Sequence, residues 1–296
     1  MKRIFENANE YYPNYISIDS ILEDNLKIIE YRYEKEKNEK VYISEHEKIH
    51  TFLDDLFFLK GDFVVLAGKP KKGKTTFSLN LALHLATINK TPVGYISCGE
   101  NDSFILGRKL LSIHSGFPVS KIRTSFFKKD EFNVLKKSIN ELSEKKLFFN
   151  DFPNIKYDDF KLVAKEMVSQ GVKVIFIDSY EYLFEITNES VSSMKEHYIK
   201  KYKALARQLN ITIILNVSLS DSSKNKEPAI SDFKNNMYLS RLADMILFIQ
   251  IEDKYIDNDY IFSKLIIAKN YLGPAETPVY LMLNSRTFKI EKLPGL

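Results

Sequence analysis

The chain has 296 residues, of which 44% are hydrophobic and 28% charged, with a net charge of +4. That composition fits one sizeable α/β core with an appendage; no apolar run is long enough for a bilayer, and the opening MKRIFENANE lacks a signal stretch, so a cytoplasmic protein with no membrane partner is expected. One cysteine, Cys98, excludes an internal disulfide, and the histidines at 46, 50, 84, 114 and 197 show no ligand spacing for a zinc cage.

Charge is unevenly spread. Residues 1–50 hold 8 Lys+Arg against 11 Asp+Glu, which leaves 35 against 28 for the rest, a surplus that permits a polyanionic partner without requiring one. Within that acidic start, residues 19–40 carry Ile21, Leu22, Leu26 and Ile29 at helical spacing before dissolving into alternating charge. They read as a solvated surface helix or as an arm packed on a neighbouring subunit, since so short a helix needs tertiary contacts to persist. Residues 1–48 are therefore expected to form an arm and residues 49–296 the main domain.

From residue 62 the texture changes to apolar runs: DFVVLAG, TPVGYISC, KVIFIDS, ITIILNV, ADMILFIQ and FSKLIIAK. Runs apolar throughout fit strands covered on both faces, and helical stretches such as TTFSLNLALHLATIN and YIKKYKALARQLN lie between several of them. A wound, mostly parallel sheet flanked by helices is predicted. The polar stretch SLSDSSKNKEP at 218–228 reads as a loop.

One motif carries chemistry. Gly68, Gly73, Lys74 and Thr75 match the phosphate-binding loop pattern, between a strand (FVVLA) and an amphipathic helix. Glycines let backbone N–H groups converge on phosphate oxygens, Lys74 reaches the β and γ phosphates of ATP, and the Thr75 hydroxyl ligates Mg²⁺. Lys71, Lys72 and Thr76 complete the expected nucleotide-binding set. The partner carboxylate belongs at the end of a neighbouring parallel strand, and KVIFIDS supplies Asp178 for the metal.

With these residues in place the chain resembles the ATPase domain of the DnaB-type replicative DNA helicases, a RecA-like P-loop fold. The resemblance is carried by HTFLDDLFFLKGDFVVLAGKPKKGKTTFSLNLA, NDFPNIKYDDF, KALARQLNITIIL, ISDFKNNMYLSRLADMILFI and AKNYLGP in family order, from about residue 49 onward. It implies a homo-oligomer, usually a hexameric ring, that threads single-stranded DNA and hydrolyses ATP at subunit boundaries in replication or repair. The family's N-terminal helical domain has no counterpart in the first 48 residues, although residues 19–40 suit a remnant of its linker helix.

Three departures stand out. In SCGEN the family's water-polarising glutamate is Gly99, with Glu100 one residue later; Glu100 or, in SYEYL, Glu181 is the candidate base, and Arg108 falls where the family has an arginine. The family's K-x-R motif, which sends cations into a neighbour's site, reads Lys269, Asn270, Tyr271, so the lysine remains and the arginine finger is replaced. Ser218 stands in place of a glutamine that senses the γ phosphate. DNA contact is assigned to Lys224, Lys226 and Lys234, which would give salt-dependent, sequence-blind binding, although lysines in a polar loop also serve solubility alone. Two functions are compatible with these residues: a slow helicase-like ATPase, or a nucleotide-binding regulatory or loading protein that assembles with a replicative helicase.

Overall fold

The computed structural model describes residues 48–50, 56–98, 103–152, 155–183, 192–219, 227–255, 259–271, 275 and 277–293. The chain divides into two compact units, Met1–Ile49 and His50–Leu296. The expected helix over 19–40 lies outside the described residues, and the second unit carries the main sheet.

Two short strands, β1 (Lys48–His50) and β2 (Phe57–Leu59), precede that sheet. In chain order come β3 (Phe63–Gly68), α1 (Lys74–Thr87), β4 (Val93–Ser97), α2 (Ser103–Ser115), α3 (Val119–Thr124), α4 (Lys129–Ser143), β5 (Leu147–Asp151), α5 (Tyr157–Ser169) and β6 (Val174–Asp178). Then follow α6 (Ser192–Leu209), β7 (Thr212–Ser218), α7 (Met237–Leu242), β8 (Met245–Tyr255), β9 (Tyr260–Asn270), β10 (Thr277–Asn284) and β11 (Ile290–Lys292).

The sheet has nine strands in the order β11-β10-β9-β8-β3-β7-β6-β4-β5. From β8 to β5 every pairing is parallel, and β9, β10 and β11 extend the same sheet antiparallel. All six expected strands are present, and the fold is the mostly parallel, helix-flanked α/β architecture that their texture implies. Three strands of the main sheet were not anticipated. β5 is only half-buried at the edge, and β10 and β11 form the antiparallel flank.

Burial explains the apolar runs. Every residue of β3, β4 and β6 is buried, because helices cover both faces. On one face Val65, Ile96, Ile175, Ile213 and Leu215 share a core with Phe160 of α5, Tyr202 and Leu205 of α6, and Leu239 of α7. Side chains alternate across a strand, so the neighbouring residues Val64, Tyr95, Phe176 and Ile214, also buried, turn to the other face, where α1 packs along β3, β4, β6 and β7.

Register fixes two opposite edges. Gly68 pairs with Ser218, and Ser97 with Asp178, so the loop after β3 and the ends of β4, β6 and β7 meet at the C-terminal edge of the parallel strands. Asn270 pairs with Met245 and Lys269 with Ile246, while Met245 pairs with Val64 near the start of β3. Lys269 and Tyr271 therefore lie at the far edge from the loop. Among the described residues no helix is long and apolar enough to cross a membrane.

Candidate functional site

The loop between β3 and α1 is shaped by the strand beside it. A Cβ on Gly68 would come 2.6 Å from the Ile249 carbonyl oxygen, so the β8 backbone bars a side chain there, and one on Gly73 would come 2.2 Å from Ile251 Cδ1 and would have to displace that side chain's end. Gly73 also has φ +87, a left-handed conformation that L side chains rarely adopt, and it delivers the chain directly into α1. No side chain caps that helix and its first turn has no acidic residue, which leaves the N-terminal potential positive.

A pocket of about 480 Å³ opens over this turn, lined by Lys71, Lys74, Thr75 and Thr76 together with Asp178, Ser179, Glu181 and Ser218. Lys74 is 7% exposed, and its ammonium donates to the carbonyls of Gly68 at 3.1 Å and Lys69 at 3.0 Å. Burial pulls its pKa below the usual lysine value, opposed by the carboxylates of Glu181 and then Asp178. The Thr75 hydroxyl donates to Asp178 Oδ2 at 2.7 Å. That same oxygen accepts from the Tyr95 hydroxyl at 2.9 Å, and burial, with the carboxylate close by, raises Tyr95 well above its ordinary pKa and keeps it a donor. Glu181 Oε1 accepts the Ser218 N–H at 2.6 Å.

Other expected residues fall elsewhere. Lys72 lies in the loop turn, its N–H donating to the Lys69 carbonyl at 3.2 Å. Arg108 does not line the pocket; its guanidinium sits 4.2 Å from the centroid of the exposed Phe104 ring. Lys269 caps α7 in its own chain, donating to the carbonyls of Ser240, Arg241 and Ala243 at 3.0, 3.4 and 2.6 Å. Tyr271 is 82% exposed, and Lys234 is exposed in the turn Ile230–Asn236. Gly99, Glu100, Lys224 and Lys226 lie outside the described residues.

Sequence patterning did not single out Lys109 and Cys98, which line the pocket, or the buried Tyr95, which bonds Asp178. Lys109 lines the pocket; burial lowers its pKa and the Asp178 carboxylate opposes the shift. Its signal was the buried stripe Leu106, Leu110 and Ile113 of α2, beside which Lys109 falls, whereas Arg108 is turned roughly 200° from Leu106 at 100° per residue. Cys98 also lines the pocket, 3% exposed, with burial pushing its thiol up to about 12. Tyr95, the third, stood in an apolar run that gave no hint of its hydroxyl's partner.

A strand, a glycine-bounded loop and a helix, closed by a carboxylate at the C-terminal edge of a wound sheet, define a RecA-like P-loop domain. The particular family follows from comparison with known proteins. The chain belongs to the DnaB-like helicase C terminal domain family, whose model matches residues 47–292. The replicative DNA helicase DnaB of Rickettsia prowazekii (strain Madrid E) is 31% identical over 254 residues, covering 73% of this chain and 51% of its own length. That of Geobacillus stearothermophilus is 27% identical over 230 residues, with 74% of this chain and 50% of its own length covered. The chain thus spans about half the length of these relatives. Among solved structures, one of an ATPase domain superposes with a TM-score of 0.77 at 20% identity, covering 95% of this chain and all of that one, and so shares the fold. A DnaB-like replicative helicase, solved in a study of its interactions with primase, gives 0.71 at 22% identity over 79% of this chain and 59% of its own.

Proposed function

We propose that the chain is a slow, helicase-type ATPase that binds Mg-ATP in the pocket and acts on single-stranded DNA in replication or repair, in the cytoplasm. The observation that carries this reading is the 2.7 Å pairing of Thr75 with Asp178 beside the buried ammonium of Lys74. A hydroxyl and a carboxylate that converge through oxygen suit a hard divalent cation, so Thr75 and Asp178 would hold magnesium, which when bound neutralises phosphate charge. Gly73 and the start of α1 supply backbone N–H groups for the phosphates, Lys71 and Thr76 flank them, and Lys74 meets the terminal pair. Lys109, which lines the same pocket, adds a further cation.

The far-edge position of Lys269 and Tyr271 supports head-to-tail assembly, in which one copy's edge meets the next copy's pocket. A homo-oligomer, as a hexameric ring, is the form we propose. DNA would run along Lys224, Lys226 and Lys234, giving weaker binding as salt rises.

A second reading has specific support. Tyr271 offers no guanidinium and Lys269 is committed to three carbonyls, so the partner-supplied charge, worth about 10³ to 10⁵ in rate in GTPases, would be missing. On that reading the chain is a regulatory or loading protein that binds nucleotide and assembles with a replicative helicase. ATP hydrolysis with and without single-stranded DNA separates the two: a motor turns over, responds to DNA and loses both properties in Lys74→Ala. A regulator binds nucleotide through Lys74 without DNA-dependent turnover.

A further inference from the structure

We propose that Glu181 is the carboxylate that takes the proton from the attacking water. The proposal rests on the Mg-ATP reading of the pocket and assigns the step that Gly99 leaves open.

Position comes first. Glu181 stands three residues past Asp178, in the single 3₁₀ turn Tyr180–Tyr182, and lines the same pocket as Lys74 and Ser218. Lys74 marks where the terminal phosphates of a bound nucleotide sit. Glu181 lines that pocket together with Lys74, and its carboxylate acts on the Lys74 ammonium. Asp178 is poorly suited to be the base, because its Oδ2 already takes two hydroxyl donors and it serves the metal.

Restraint comes second. The Ser218 N–H holds Glu181 Oε1 at 2.6 Å, which leaves Oε2 as the acceptor for a water. The turn that carries Glu181 is itself tied down. The hydroxyl of Tyr180 lies 2.5 Å from that of Tyr238, which donates to Asn236 Oδ1 at 3.0 Å. A base clamped through one oxygen on a braced turn needs little reorganisation to meet its proton.

In the step itself, the water oxygen bonds to the γ phosphorus and the bond from that phosphorus to the bridging oxygen breaks. The bond's electron pair leaves on ADP. The water proton passes to Glu181 Oε2 and from there to phosphate or solvent, restoring the carboxylate.

The test uses the full chain with Mg-ATP, comparing wild type, Glu181→Gln, Glu100→Gln and Lys74→Ala by steady-state turnover from pH 5 to 9, fluorescent-nucleotide binding and urea unfolding. Glu181→Gln keeps the hydrogen-bond acceptor for Ser218, so its unfolding midpoint should match wild type and its ATP affinity should stay within about threefold, while kcat falls by about 10² or more. Turnover within threefold of wild type in Glu181→Gln, with a 10²-fold loss in Glu100→Gln, would overturn the proposal and leave the pocket reading intact. So would a Glu181→Gln defect confined to affinity, or a wild type that binds nucleotide without hydrolysing it. A wild type that binds no nucleotide, or a Lys74→Ala protein that binds as well as wild type, would remove the pocket reading and the proposal together.

Discussion

Replacing Asp178 by alanine should destabilise the nucleotide-free protein by about 2 to 4 kcal/mol, and deleting the Tyr95 hydroxyl in the same chain should restore much of the loss. One oxygen of Asp178 accepts from Thr75 at 2.7 Å and from Tyr95 at 2.9 Å. The two donors are not equivalent. Thr75 is only partly buried and can turn to water, whereas Tyr95 is 0% exposed and would lose its charged acceptor, keeping only a hydroxyl neighbour, Ser78, of those that act on it. A buried donor that loses its acceptor costs about 1 to 3 kcal/mol, and losing the charge-assisted bonds adds about 1 kcal/mol. Tyr95→Phe alone should cost about 1 to 2 kcal/mol by taking one donor from the carboxylate, but in the Asp178→Ala chain it removes the affected donor itself. Urea unfolding of wild type, both single variants and the double variant, without nucleotide or magnesium, should therefore give a coupling of at least about 1 kcal/mol. Additivity within about 0.5 kcal/mol would refute the shared-oxygen account.

Lys109→Ala should weaken Mg-ATP binding several-fold more than Arg108→Ala in fluorescent-nucleotide titration, because only the former lines the pocket. Lys74 supplies a pH signature. Its folded pKa is lowered chiefly by burial, so the unfolded chain binds the proton more readily, and stability rises with pH through the window between the lowered value and 10.5. Wild type should gain stability relative to Lys74→Met as pH climbs toward 10.5, read from urea midpoints at successive pH values. Cys98, the single thiol, has its pKa pushed up to about 12, so about one molecule in 10⁴ is thiolate at pH 8 against roughly a quarter for a free cysteine. Colorimetric thiol labelling at that pH should be about 10³-fold slower in the native protein than in urea.

The loop was legible because everything it needs is local: strand, glycine spacing and helix lie within one continuous stretch. Asp178 was legible because a parallel strand must end at the ligand edge. The antiparallel turn of the sheet was within reach as well, since only 256–259 separate β8 from β9, too few residues for a parallel crossover. Other features depend on distant partners. Lys269 reads as a cation for a neighbour until the carbonyls of Ser240, Arg241 and Ala243 are seen beneath it. Tyr95 and Asp178 are 83 positions apart, and no periodicity reports that bond. β5 was missed because its half-buried LFFND carries a weaker apolar signal than the strands inside the sheet. Arg108 and Lys109 differ by one step around a helix, and only the burial of Leu106, Leu110 and Ile113 tells which of them turns inward.

The phosphate loop and the Lys269 corner occupy opposite margins of one sheet. A joint formed between two unlike margins contains no instruction to stop, since each copy added offers the same pair of surfaces again. Copy number is then governed by the swivel per step, which closes into a circle when it divides a full revolution and otherwise winds into a spiral. In the proposed head-to-tail assembly, a substitution that tilts the joint by a few degrees would alter how many copies gather while leaving every pocket side chain where it was.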